Sequence, residues 1–179
     1  MSHVILTGFM AVGKTAVGKR LARRLGRPFV DTDHLIEVRE GVTISQIFAS
    51  RGEAEFRRIE RDVVENLAGH APAVIATGGG TFVDETNRAL LKSLGIVVCL
   101  VTSIETILDR AGRSNKRPLA AGADPNRLAR LYEERMPAYR QADILIETDG
   151  LTVEQSVVRV LNMIEPRLKT EPATGEGAA

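Results

Sequence analysis

The chain has no tryptophan, two tyrosines and five phenylalanines, so aromatics make up only 4% of its 179 residues. That leaves no platform on which nucleic-acid bases would stack. An excess of either charge is also missing. Charged residues are 26% of the chain and the formal net charge is +1, whereas a nucleic-acid binder is usually strongly basic. Cysteine is nearly absent. The lone Cys99 excludes an intramolecular disulfide framework, and its place in the apolar run Ile96 to Val101 predicts a buried core thiol. No apolar run approaches the roughly eighteen residues of a membrane span. The first strand-like run begins at Val4, which predicts no signal peptide. The expectation is a cytoplasmic monomer with no nucleic-acid or membrane partner.

What is present suits one α/β domain with a real core. Apolar runs alternate with helical patterns, as in a parallel sheet with helices on its faces. The strand-like runs are Val4–Thr7, Pro28–Asp31, Ala73–Thr77, Ile96–Val101 and Ile144–Thr148. Between them, Val17, Leu21, Ala22 and Leu25 share one helix face, and Gly26 supplies a stop. Thr43-Ile44-Ser45-Gln46 and Thr152-Val153-Glu154-Gln155 read as capping boxes. Asp84 and Ser103 read as N-caps, and Asp124-Pro125 as an N-cap followed by proline at the first helical position. Thr43 to Ala68 is expected as a helical insertion, broken near Gly52. Gly112 to Asp124 is polar and basic, with Arg113, Lys116 and Arg117, and is expected as a functional loop. After Pro166 there is little to bury, and disorder is expected.

Gly8-Phe9-Met10-Ala11-Val12-Gly13-Lys14-Thr15 fits the spacing of a phosphate-gripping loop between a strand and a helix. Such a loop aims its backbone N–H groups at one point, where the helix dipole also favours negative charge. Lys14 then reaches the outer phosphates of a nucleotide, and the Thr15 hydroxyl is a ligand for Mg²⁺. Ala16 opens the helix that follows.

Asp31-Thr32-Asp33 closes the second strand, where ligands of a parallel sheet gather. Read as extended chain, its two acids point to opposite sides. One would hold Mg²⁺ through water and the other an acceptor hydroxyl, the alternative being that one acid merely caps a helix starting near His34. Thr77-Gly78-Gly79-Gly80 leaves the backbone open to close approach by a ligand. Arg57 offers a planar fork suited to a carboxylate, although arginines in a helical charge run are ordinarily solvated, and Arg135, near the end of a helix, reads as solvated on its own.

Taken together these residues resemble the shikimate kinase family. The matching motifs are Gly8 to Thr15, Asp31-Thr32-Asp33, Gly52-Glu53 with Glu55-Phe56-Arg57, Thr77 to Gly80, Arg117-Pro118-Leu119, and Arg135 with Tyr139-Arg140. The resemblance covers about residues 4 to 164. It implies a three-layer α/β/α P-loop kinase fold, with a five-stranded parallel sheet in the order 2-3-1-4-5. One kinase domain would span 1–166, with a substrate-binding insertion at about 33–70, a lid at about 112–124, and a disordered tail at 167–179. It implies transfer of the ATP γ-phosphate to the 3-hydroxyl of shikimate, with Mg²⁺.

Carried over by motif, Lys14, Asp33 and Arg117 would be catalytic, with Asp33 on the acceptor hydroxyl. Gly8, Ala11, Val12, Gly13, Lys14, Thr15, Ala16, Arg110 and Arg117 would bind the nucleotide, with Arg110 packing on adenine. Asp33, Arg57, Gly79, Gly80 and Arg135 would bind shikimate, the two arginines clamping its carboxylate. Thr15 would ligate Mg²⁺, and Asp31 would hold a metal-bound water. The family's adenine loop would fall near 147–152. Ala11 departs from the family pattern, in which many members carry glycine.

Two other readings are compatible with a phosphate loop. One is a different small-molecule kinase, such as a gluconate kinase. The other is a kinase-like binding protein without turnover, in which Lys14, Asp33 or Arg117 would be eroded. None of them is.

Overall fold

A computed structural model describes residues 2–112 and 124–170. The interior of the expected lid, including Arg117, and the chain beyond 170 lie outside the described residues.

The five apolar runs all form strands: β1 (His3–Thr7), β2 (Phe29–Asp31), β3 (Val74–Ala76), β4 (Gly95–Val101) and β5 (Ile144–Glu147). They make one parallel sheet in the order β2-β3-β1-β4-β5. β1, β3 and the centre of β4 are buried throughout. This explains their unbroken apolar sequence, since a parallel sheet is covered on both faces. Cys99 lies in β4 at 0% exposure, and burial pushes its thiol up to about 12. It is a core residue, as expected.

Helices flank the sheet: α1 (Lys14–Leu25), α2 (Thr32–Glu40), α3 (Ile44–Asn66), α4 (Glu85–Leu94), α5 (Ile104–Gly112), α6 (Pro125–Tyr139) and α7 (Val153–Thr170). Their starts follow the expected caps. Thr43 and Gln46 close a full capping box, and Thr152 and Gln155 exchange the same pair of bonds. Asp84 and Asp124 each accept from their first turn. α1 packs on α7 and α3 on α4. A second, smaller apolar cluster of Ile36, Ile47, Phe56, Ile59 and Val63 joins α2 to α3 and makes the insertion a packed unit. Gly52 (φ 81°, ψ 174°) breaks α3 into two arms, as its position predicts.

Two expectations need correction. Asp31-Thr32-Asp33 is not an extended segment. β2 ends at Asp31, and α2 begins at Thr32. The Asp31 carboxylate accepts the Asp33 N–H and caps that helix, so Asp33 projects from a first helical turn. Alternation across a strand therefore does not separate the two acids; strand end and helix start do. The other correction concerns the tail expected to be disordered from 167: α7 runs through Pro166 to Thr170, so residues 167–170 are helical. Leu168 still packs on the core and Arg167 donates to the Asp143 carbonyl, which gives the last turn a reason to form.

The strand order positions the site. β1 pairs with both β3 and β4, and β3 with β2. In register, Leu6 and Asp31 both sit beside Ala76. The loops leaving β1, β2 and β3 therefore start at one level on adjacent strands. Here the carboxyl ends of a parallel sheet open a crevice.

Candidate active site

Gly8 and Gly13 take positive φ (128° and 99°) on either side of the loop. At Gly8 a Cβ would stand 2.3 Å from the Leu100 carbonyl oxygen, so only glycine lets the loop leave β1 so close to β4. Ala11 is in the left-handed region too, at φ 61°. It is the sole non-glycine residue with positive φ among those described. α1 starts at Lys14 and carries no acid in its first turn, leaving the positive end of its dipole for a ligand. Arg23 and Arg24 complement the other end.

Lys14 is 5% exposed, and its Nζ donates to the carbonyls of Gly8 (2.7 Å) and Phe9 (2.8 Å). The ammonium is thus held inside the curl of the loop. Val12 is buried, and Ala16 sits half-buried in the first turn. Thr15 Oγ1 donates to Asp31 Oδ2 at 2.9 Å. Thr15 and Asp31 pair two hard oxygen donors at the foot of the loop, the chemistry Mg²⁺ takes when it keeps most of its waters. Among the described residues no cluster of three or more His, Cys, Asp or Glu forms a fuller cation cage. Arg110, near the end of α5, donates to the Ala11 carbonyl at 3.3 Å and so borders the loop.

Beside the loop lies a cavity of about 490 Å³. Its lining includes Asp31, Asp33, Arg57, Glu60, Arg135 and the three glycines 78–80. Met10, Ile44, Phe48 and Phe56 add apolar lining. Expected site residues from β2, α2, α3, α6 and the β3 loop thus meet in one place. A side chain at either outer glycine would displace a site residue. A Cβ on Gly78 would fall 2.6 Å from the Asp33 carboxylate, and one on Gly80 would fall 2.6 Å from the Arg57 guanidinium. Thr32 Oγ1 accepts the Gly78 N–H and ties the loop to α2.

Arg57 donates to Glu60 at 2.8 Å and to Glu53 across a helical turn. Burial works against its charge, but these two carboxylates outweigh it and hold the guanidinium protonated above its ordinary range. Arg135 places its guanidinium over the Phe9 ring, 5.6 Å from the centroid, while Tyr132 meets the same ring edge-on at 5.3 Å. The phosphate loop and the second arginine are therefore in contact through Phe9.

The sequence assigns no role to two residues here, although Tyr139 stands in one of the matching motifs. Glu60 is 1% exposed, and its other oxygen accepts Thr81 Oγ1 at 2.6 Å. A signal for it exists: Glu60 stands at helical spacing from Phe56 and Val64, on the buried face of α3. Tyr139 is fully buried and donates to the Gly79 carbonyl at 2.5 Å. It is one turn after Arg135, but no spacing rule names its partner in a distant loop. At the expected adenine loop, Asp149 accepts from Thr102, Ser103 and Thr106, and these bonds, Thr102's above all, hold its carboxyl below the usual range. That loop is thereby fastened to the start of α5.

A family model described as shikimate kinase matches residues 10–165. The shikimate kinase of Geobacter sulfurreducens is 44% identical over 163 residues, 90% of this chain and 90% of that one. That of Thermodesulfovibrio yellowstonii is 40% identical over 166 residues, 92% of this chain and 96% of the other. Among solved structures, the shikimate kinase of Acinetobacter baumannii in complex with shikimate superposes with a TM-score of 0.88. It is 39% identical and covers 96% of each chain.

Proposed function

The chain belongs to the shikimate kinase family, and from that premise we propose how its residues share the work. The protein is an ATP-dependent kinase that transfers the γ-phosphate of ATP to the 3-hydroxyl of shikimate, giving shikimate 3-phosphate and ADP. The observation that carries the assignment of roles is the convergence of Asp33, Arg57 and Arg135 on one cavity beside the phosphate loop. They arrive from α2, α3 and α6.

In this reading the N–H groups from Gly8 to Ala16 cradle the ATP phosphates, and Arg110 packs on adenine. Arg57 and Arg135 clamp the shikimate carboxylate, each giving a planar fork. That anchor turns the ring so that a hydroxyl meets Asp33, which accepts its proton or its hydrogen bond. Gly79 and Gly80 add backbone contacts. Phosphoryl transfer needs alignment and positive charge more than covalent help. Lys14 supplies charge from the loop. Arg117, outside the described residues, is assigned its part from the Arg117-Pro118-Leu119 motif alone. The segment 112–124 is assigned as a lid that excludes water as a competing acceptor. Thr15, with Asp31 through water, would hold Mg²⁺, which neutralises phosphate charge when bound. We take the enzyme to be a cytoplasmic monomer.

The test is a coupled ADP-release assay with ATP and Mg²⁺, comparing shikimate, gluconate and nucleoside monophosphates. Stimulation by shikimate alone is expected. Equal stimulation by another acceptor, or none by shikimate, overturns the reading.

A further inference from the structure

Tyr139 is one of the largest fully buried side chains of the molecule, and it does not line the cavity. Its hydroxyl nevertheless reaches the cavity wall from behind. It donates to the carbonyl of Gly79, at the centre of the glycine triplet. The Arg135 guanidinium lies against the same hydroxyl, one turn earlier on α6. A Cβ on Gly79 would come within 3.8 Å of Arg135 Nη1 and 3.3 Å of the Met10 nitrogen, so loop, arginine and phosphate loop are packed together here.

We infer that Tyr139 is a positioning residue for the acceptor substrate, its hydroxyl setting the Gly79–Gly80 peptide and the Arg135 guanidinium in one arrangement. This rests on the reading of the cavity as the shikimate site. Three consecutive glycines have more backbone freedom than any other triplet, and freedom in a binding loop must be lost when ligand binds. A hydrogen bond from a rigid, buried phenol removes that freedom beforehand. The peptide is trans, so anchoring the Gly79 carbonyl toward the phenol turns the Gly80 N–H away from it. Gly79 and Gly80 line the cavity while Tyr139 does not, which makes that turned-away side the ligand's side. Burial pushes the phenol well above its ordinary range, partly offset by Arg135, so the hydroxyl remains a donor across the working pH range.

Tyr139→Phe keeps the ring and removes only the hydroxyl. Steady-state kinetics should show the shikimate KM raised about tenfold, the scale of one lost hydrogen bond to a buried carbonyl. The ATP KM should stay within about twofold. A merely structural role would move both KM values together, and that result, or an unchanged shikimate KM, overturns the inference. A wild-type enzyme with no shikimate-dependent ADP release would instead sink the reading of the cavity.

A second measurement does not depend on the variant folding. The chain has two tyrosines, so 3-fluorotyrosine labelling gives two ¹⁹F resonances, assigned with Tyr132→Phe. Saturating shikimate should shift the Tyr139 signal, because a Gly80 N–H engaged by ligand polarises the peptide whose carbonyl Tyr139 holds. A signal unmoved by shikimate overturns the inference.

Discussion

Arg57 Nη1 donates to Glu60 Oε2 at 2.8 Å, and the acceptor is almost sealed from solvent while the donor is not. The pair therefore works in one direction: a fixed buried carboxylate holds a cation at the cavity edge. Thr81 holds the carboxylate in turn. Glu60→Gln keeps the shape and loses the charge, and it should raise the shikimate KM several-fold with kcat changed less. Glu60→Ala removes the partner altogether. It should cost about 2–3 kcal/mol, at or below the low end for a broken buried pair because Arg57 keeps Glu53 and some water. Thermal melts should then drop by roughly 5–10 °C for a chain of this size. A Glu60→Gln variant with unchanged shikimate KM would show that Arg57 needs no such anchor.

Ala11 is held at φ 61°, a conformation that brings an L side chain against its own carbonyl. The penalty is roughly 1–2 kcal/mol. Glycine escapes it but gains freedom in the unfolded chain worth about 0.4–1 kcal/mol. The difference favours glycine. Ala11→Gly should raise the melting temperature by about 1–3 °C and leave kcat within about twofold. A lowered melting temperature would mean that the Ala11 methyl packs more favourably than its backbone suffers.

The fold was legible because each strand is an apolar run bounded by turn residues, and the helices after α1, which follows Gly13 without a side-chain cap, begin at side-chain caps. The phosphate loop, the glycine triplet and the two arginines were legible as motifs. What escaped depends on distance rather than pattern. The end of β2 at Asp31 is a matter of sheet register, since Asp31 is the last residue paired with β3. Glu60 hides in a charge run, and only its burial against Arg57 and Thr81 separates it from its exposed neighbours. Tyr139 bonds to a carbonyl 60 residues away, which no local spacing encodes.

His3 opens β1 as a neutral base. Its Nδ1 accepts the Ala73 N–H at 3.1 Å, and burial lowers its pKa below 6.5. Protonating Nδ1 would destroy that acceptor. The unfolded chain therefore binds the proton more readily than the folded one, and stability rises with pH in the window just below 6.5. The contribution is complete above 6.5 and is lost as pH falls toward the depressed folded value. His3→Asn offers an amide oxygen in place of the ring nitrogen and does not titrate. Urea unfolding of both proteins between pH 5 and 7.5 should show the wild type losing stability relative to the variant on acidification. Parallel curves would remove His3 as the source.

Lys14 presents the sharpest separation of stability from activity. Its Nζ is tied to two backbone carbonyls of its own loop, so the charge is held in place without ligand. Lys14→Met fills much of the same space with an apolar stem and removes the charge that would stabilise the transferring phosphoryl group. Gly8 and Phe9 then lose a donor, which costs some stability. The larger loss is expected in kcat, at least about a hundredfold, the scale for removing one preorganised donor from developing charge. Lys14→Ala leaves room for water to satisfy both carbonyls, so its melting temperature should stay near wild type while turnover is lost. Measured together, the two variants separate packing from charge. If both keep near-wild-type turnover, the loop from Gly8 to Thr15 is not the donor half of the site.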